Sequence, residues 1–286
     1  MNPPDGPPAA ALTYLARAIL EEDRAFEDVS TAAAVPAGLR GTGLLVAKSV
    51  GVIAGLPAAA AIFAAAGRGL EFRREVQDGA RAEAGTVIAT VTGPVQLILQ
   101  AERSALNVLQ RLSGVATATA AYVERIRGTG AVILDTRKTT PLLRDLEKYA
   151  VRCGGGTNHR RDLASMVMLK DNHLAALARG GGSIAETVAT ARRSTDGIRV
   201  EVEIDSLGQL PEALAAAPDW ILLDNMSPGD LHRAVELTAG KAKLEASGGI
   251  TLTTVREVAE TGVDAISVGA LTHSAPALDI GLDLSF

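Results

Sequence analysis

The chain has 286 residues, 47% of them apolar, enough for two compact domains or one barrel carrying an extra domain. Its formal net charge of −5 argues against nucleic acid as a partner, because neutralising phosphates needs a basic face. The lone cysteine, Cys153, excludes an internal disulfide and a cysteine-built zinc site and fits a reducing cytoplasm.

The opening MNPPDGPPAA has neither the basic nor the apolar region of a signal peptide and reads as a disordered start. Ser49 to Gly67 carries no charge and approaches the length of a bilayer span. Its Ala and Gly content, and Pro57 placed just after the strand-like VGVIAG, point instead to a strand followed by a buried helix. GLLVAKSVGVIAG and GTVIATVTGP read as strands punctuated by glycine. The stretch DGARAEAGTVIATVTGP is similar to the turn-rich sandwich of biotinyl and lipoyl domains, but no lysine stands at its hairpin tip, so a carrier role is rejected. Leu99 to Arg127 reads as one long helix, with Ala105, Leu106, Leu109, Leu112 and Ala116 at helical spacing.

From about residue 131 the pattern changes to six short apolar runs separated by helix-like stretches: AVIL (131–134), MVML (166–169), VEVEI (200–204), WILL (220–223), KLEAS (243–247) and AISV (265–268). Their near-continuous apolarity suggests parallel strands buried on both faces, and the spacers leave room for crossover helices. A β/α barrel is the economical reading. Its active site would lie where the strands end. Those ends carry Asp135-Thr136-Arg137-Lys138, Lys170-Asp171-Asn172, Glu203, Asp224-Asn225, Ser247-Gly248-Gly249 and Gly269. The last two segments are expected to run into helices near Thr251 and Ser274, a setting that suits a phosphate.

Arg137, Lys138, His159, Arg160 and Lys170 fall at or near the first two strand ends, and Arg103 sits on the preceding helix. Any one of them is most simply a solvated surface cation. Their convergence in an acidic protein favours a substrate bearing carboxylates or phosphates. Glu203 and Asp224 could hold Mg²⁺ through water, grip sugar hydroxyls, or pair structurally with the cations; spacing alone leaves these open. Cys153 is read as a packing residue and His232 as a surface one. Gly154 to Gly156 lacks the Gly-Lys-Ser/Thr of a phosphate-binding loop.

ERSALNVLQRLSGVAT, DTRKTTPLLRDLEKYAVRCGGGTNHR, MLKDNH, VEVE, LLDNMSP, EASGGI and VGALTHSAPALDIGLDL, in that order, resemble the quinolinate phosphoribosyltransferase family over roughly residues 100 to 284. The resemblance implies an incomplete, open β/α barrel over residues 112–274 and an N-terminal α/β sandwich over 1–111, with the tail 275–286 packing back on the latter. It implies transfer of phosphoribose from 5-phosphoribosyl-1-pyrophosphate (PRPP) to quinolinate, with loss of pyrophosphate and carbon dioxide. Arg137, Arg160 and Lys170 would meet the quinolinate carboxylates, with His159 and Thr136 nearby, and Lys138 would face the pyrophosphate. Glu203 and Asp224 would hold the ribose hydroxyls, partly through Mg²⁺. Ser247, Gly248 and Gly249, with Val268, Gly269 and Ala270, would seat the 5′-phosphate. Arg103 would come from the partner subunit of a homodimer or a higher oligomer. Two other readings compete: a paralogue with a different acidic acceptor, such as the relative encoded beside molybdate transporters, and a non-catalytic barrel that senses a phosphosugar.

Overall fold

A computed structural model describes residues 6–194 and 197–286. Of the ten residues expected to form a disordered start, 1–5 lie outside the described residues, whereas Ala9 and Ala10 already open the first helix. In chain order the first part comprises α1 (Ala9–Glu22), α2 (Val29–Ala34), β1 (Arg40–Ala47), β2 (Gly51–Val52), α3 (Leu56–Ala66), β3 (Glu71–Arg74), β4 (Arg81–Ala82), β5 (Val87–Pro94) and the 31-residue α4 (Val95–Arg125). There follow β6 (Val132–Leu134), α5 (Arg144–Cys153), β7 (Val167–Leu169), α6 (Asp171–Arg179), α7 (Ile184–Ser194), β8 (Val200–Ile204) and α8 (Leu210–Ala215). The chain closes with β9 (Trp220–Asp224), α9 (Pro228–Thr238), β10 (Lys243–Ser247), α10 (Val255–Glu260), β11 (Ala265–Ser267), α11 (Ala270–His273) and β12 (Ile280–Ser285).

These elements form two compact units. The first runs to Ala120 and resumes over Thr140–Gly155 and Leu271–Phe286; the second comprises Ala121–Thr139 and Gly156–Ala270. The first unit holds an antiparallel sheet in the order β12-β1-β5-β3. The uncharged stretch after Ser49 becomes β2 followed by α3, with Pro57 in its first turn. Among the described residues no helix is long and apolar enough to cross a membrane. Asp78, 7% exposed, caps α3 by accepting from Gly55 N (2.9 Å) and Leu56 N (3.2 Å) and also takes the Tyr149 hydroxyl at 2.7 Å.

The division differs from the one drawn from the sequence. A boundary at residue 111 cuts through α4, and residues 140–155 and 271–274 belong to the first unit. The reason is a buried knot. Glu147, fully buried, accepts from Arg111 Nε (3.1 Å) and Nη2 (2.8 Å) and from Thr140 N (3.0 Å) and Oγ1 (2.7 Å). The same guanidinium donates to the carbonyls of Thr272 and Ala275. Three distant stretches are thereby fastened to one arginine.

The second unit is a parallel six-stranded sheet in the order β6-β11-β10-β9-β8-β7. All six runs read as barrel strands are found there, and β6 and β7 do not pair, so the barrel is incomplete. On the open side of β6, Thr157 takes over as neighbour: its N–H donates to Ile133 O (2.8 Å) and its carbonyl accepts from Asp135 N (3.2 Å). Register then fixes which side chains share the barrel interior. Glu203 and Glu245 both stand opposite Leu222, and Met168 stands opposite Glu201.

Candidate active site

The mouth of this barrel, at the carboxyl ends of its strands, encloses a cavity of about 400 Å³. Its wall is made by Thr136, Arg137, Lys138, His159, Arg160 and Lys170 on one side and by Glu203, Asp224, Glu245, Ser247 and Ser267 on the other; Met168 and Leu222 are the apolar part of its lining. The cations come from the β6 end, the Thr157 segment and the β7 end. After β6 the chain makes a tight turn in which Thr136 Oγ1 accepts from Lys138 N (3.0 Å) and Arg137 O from Thr139 N (2.9 Å), presenting Arg137 and Lys138 together.

Arg137 Nε is buried with no hydrogen-bond partner, a costly state for a charged donor and one that an incoming carboxylate would relieve. Burial and the neighbouring Arg137 charge both work against the positive charge of Arg160, while Glu201 and Glu203 favour it. Two guanidiniums held near each other in this way favour an anion between them. Lys170 Nζ bonds Glu203 Oε2 at 2.6 Å, which fixes both chains at the rim.

Asp224 ends β9, and the next residue shapes it. Asn225 sits at φ 53° and donates from Nδ2 to Asp224 Oδ2 at 2.7 Å, while its N–H donates to Ser247 O at 2.9 Å. Gly248 lies at φ 96°, where a side chain would be strained, and a Cβ there would meet Asn225 Oδ1 at 2.2 Å. The glycine is required so that the turn carrying Asp224 can close against the end of β10.

Beneath the mouth lies a more deeply buried group. His159 Nε2 is 3.2 Å from Glu201 Oε2 and 3.2 Å from Glu245 Oε2, and the three side chains are 9%, 1% and 2% exposed. Burial opposes a charged His159, but hydrogen bonds to Glu201 and Glu245 outweigh it and raise the ring above its ordinary value. Burial likewise raises Glu201, with His159 opposing and Glu245 adding to the rise. The three side chains form one hydrogen-bonded group around the ring. They are also the one His, Cys, Asp and Glu cluster with metal-ligand spacing among the described residues.

The two halves of the sequence match the descriptions "Quinolinate phosphoribosyl transferase, N-terminal domain" over residues 28–113 and "C-terminal domain" over residues 115–283. The chain belongs to the quinolinate phosphoribosyltransferase family. It is 44% identical over 282 residues to the nicotinate-nucleotide pyrophosphorylase [carboxylating] of Mycobacterium leprae, covering 96% of this chain and 97% of the relative. It is 38% identical to the mitochondrial quinolinate phosphoribosyltransferase [decarboxylating] 2a of Nicotiana tabacum, covering 99% and 85%. Among solved structures, NadC from Streptococcus pyogenes superposes with a TM-score of 0.92 at 40% identity, over 98% of this chain and 99% of that one. The nicotinate-nucleotide pyrophosphorylase from Francisella tularensis does so at 0.91 and 35% identity, with the same coverage.

Within this family member the site residues expected from sequence fall into three groups. Thr136, Arg137, Lys138, His159, Arg160, Lys170, Glu203, Asp224 and Ser247 line one cavity. Gly248, Gly249, Val268, Gly269 and Ala270 stand immediately past the ends of β10 and β11 and are not among its lining residues. Arg103 is exposed on α4, in the first unit, and does not line the cavity either. His159 and Arg160, expected near a strand end, lie on the Thr157 segment that flanks β6, where His159 N is bonded to Asp135 just past that strand's end. The helix expected to begin near Ser274 is absent, because the chain there extends into β12, whose alternating IGLDLS pairs with β1. The one expected near Thr251 starts at Val255, after a turn closed by Thr254 Oγ1 on Thr251 N. Cys153 is buried and free, and His232 is exposed, 3.7 Å from Glu236 on the same helix. Sequence reasoning missed Glu201, Glu245 and Ser267. The available signal was a carboxylate in the middle of a strand otherwise buried on both faces.

Proposed function

We propose that the chain transfers the phosphoribosyl group of PRPP to quinolinate and releases pyrophosphate and carbon dioxide, forming nicotinate mononucleotide. The observation that carries this reading is the confluence of Arg137, Arg160 and Lys170 with Glu203 and Asp224 around one cavity. Arg137 and Arg160 take the two quinolinate carboxylates, the former filling its vacant Nε with one of them. Lys170, steadied by Glu203, takes the remaining charge. Lys138, exposed at the rim, stabilises pyrophosphate as it departs.

Breaking the C1–oxygen bond leaves the ribose positively charged. Glu203 and Asp224, across the cavity from the arginines, stabilise that charge and hold the ribose hydroxyls. The pyridine nitrogen then bonds to C1; its new positive charge stabilises the electron pair left on the adjacent carbon as the carboxylate departs as carbon dioxide, and that carbon takes a proton from water to complete nicotinate mononucleotide. No enzyme nucleophile is called for. Ser247 at the end of β10, with Gly248, Gly249 and the 268–270 segment just beyond the strand ends, offers hydroxyl and backbone donors for the 5′-phosphate.

The donor set at the mouth suits Mg²⁺, which prefers oxygen ligands and retains water and substrate phosphates. Glu203, Asp224, Ser247 and Ser267 supply carboxylate and hydroxyl oxygens there. One Glu203 oxygen is already held by Lys170; Glu203 and Asp224 would hold the ion, directly or through water. When bound, the ion neutralises the pyrophosphate leaving group. A homodimer delivers the exposed Arg103 of one subunit to the cavity of the other.

The test is to incubate the protein with PRPP, Mg²⁺ and quinolinate labelled in the carboxyl next to nitrogen, and to measure labelled carbon dioxide and pyrophosphate. Equimolar release is expected. Pyrophosphate without labelled gas would point to another acceptor, and ligand binding with neither product would point to a sensor.

A further inference from the structure

The His159, Glu201 and Glu245 cluster spans the barrel interior between two spaces. His159 and Glu245 face the mouth cavity, and all three line a second cavity of about 110 Å³ that also touches Val132, Arg199 and Trp220 at the opposite strand ends. The ring of His159 is gripped at both nitrogens. Nε2 lies 3.2 Å from each of the two carboxylates. Nδ1 accepts the main-chain N–H of Arg160 at 2.7 Å. The main chain is held too, because His159 N donates to Asp135 Oδ1 (2.9 Å) and Asn158 Nδ2 to Asp135 Oδ2 (2.6 Å).

The Arg160 N–H decides the tautomer. A hydrogen on Nδ1 would face that donor across 2.7 Å, so the neutral ring carries its proton on Nε2, where it points at Glu201 and Glu245. A metal in the same place would need the Nε2 lone pair, with the hydrogen moved to Nδ1. The spacing is that of a ligand set; the hydrogen bonding is not.

We propose that Glu201 and Glu245 are positioning residues: by taking the Nε2–H of His159 between them they lock its ring against the Arg160 main chain and so present the Arg160 guanidinium to the acceptor's carboxylate. The guanidinium is also tethered through Nη1 to Met166 O at 3.3 Å. The remaining Glu201 oxygen, Oε1, is buried without a partner, a cost that is understandable where the carboxylate is kept to orient a neighbour rather than to stabilise the fold. The inference rests on the proposed quinolinate reaction for its kinetic part and on the ring alone for its structural part.

Two measurements separate these. In ¹⁵N-histidine-labelled protein, with His159 assigned by the signals lost in His159→Gln, the neutral ring, reached above the value of about 9 to which its carboxylate neighbours raise it, is expected to carry its proton on Nε2 and leave Nδ1 bare. A proton on Nδ1, or a shift of Nε2 on adding Zn²⁺ or Mn²⁺ alone, would overturn the proposal and, in the second case, establish a metal site. This readout stands whether or not quinolinate is the acceptor. In the kinetic arm, Glu245→Ala should raise KM for quinolinate about tenfold or more and leave KM for PRPP within about threefold. Glu245→Gln, whose amide oxygen can still accept the Nε2–H, should restore the parent value. Equal losses toward both substrates, or Gln no better than Ala, would reduce the two glutamates to a structural role.

Discussion

Replacing Arg137 by alanine should weaken the acceptor far more than the sugar donor, and the structure sets the size of the effect. Arg137 Nε is buried without a partner, so the protein without substrate already bears the cost of an unpaired charged donor. Binding a carboxylate removes that cost. A charge-assisted hydrogen bond contributes about 1.5–3 kcal/mol, and a guanidinium facing a carboxylate can form two in parallel. Against this stands the relief that Arg160 gains when its like-charged neighbour leaves. A net loss of about 3 kcal/mol follows, or roughly 150-fold in kcat/KM for quinolinate at saturating PRPP. Arg137→Lys keeps the charge without the fork and should fall between, at about tenfold. Steady-state kinetics with each substrate varied in turn would check it. A change under about threefold for quinolinate, or an equal loss toward PRPP, would refute the placement of this arginine on the acceptor.

Arg111→Ala should destabilise the first unit by about 3–5 kcal/mol, since it leaves the fully buried Glu147 without its cation; denaturant unfolding of the variant beside the parent would show it. Burial and the nearby Asp78 push the Cys153 thiol up to about 12. At pH 8 the native protein should therefore carry roughly a thousandfold less thiolate than an ordinary cysteine, and iodoacetamide should label it only after unfolding. If Arg103 acts across a dimer, Arg103→Ala and Lys138→Ala proteins, each inactive alone, should regain about a quarter of parental activity when unfolded and refolded as a mixture, because half of the dimers then hold one intact site. No recovery would place Arg103 in its own subunit's site or outside the chemistry.

What the sequence made legible follows from how barrels are built. Arg137, Lys138, Lys170 and Asp224 sit at strand ends, where function gathers whatever the chemistry, so locating the strands located them. His159 and Arg160 were placed only near a strand end, and their actual position, on a segment beside β6 through Thr157, leaves no periodic trace. Glu201 escaped notice although Glu203, two residues on, did not. Both belong to VEVEI and, two residues apart, point to the same face, but the sequence does not say how deep along the strand the site reaches. Only the paired register places Glu203 at the mouth and Glu201 one layer beneath. The grouping of residues 140–155 and 271–274 with the first unit has a different origin. Arg111 reaches Glu147, Thr272 and Ala275, and a single side chain that gathers distant segments has no signature in local composition.

The cavity combines charges of both signs in a way that suits a substrate whose charge changes sign during reaction. Cations occupy the wall supplied by β6, the Thr157 segment and β7; carboxylates occupy that supplied by β8, β9 and β10. A uniformly basic pocket would bind both anionic substrates more tightly and would oppose the positive ribose that forms as pyrophosphate leaves. A uniformly acidic one would stabilise that ribose and repel both substrates. Holding both signs in one cavity, divided between its walls, lets cations bind the anionic groups while carboxylates gain strength as the ribose turns positive, which is the differential binding that accelerates a step. The Lys170–Glu203 contact at 2.6 Å crosses that division and keeps the acid from collapsing onto the guanidiniums before the substrates arrive. On this reading Lys170→Met, which removes the charge but keeps the length, should free Glu203 to pair with Arg160. The loss toward quinolinate should then exceed that of a single missing contact, and a loss no larger than that would show that the two walls act independently.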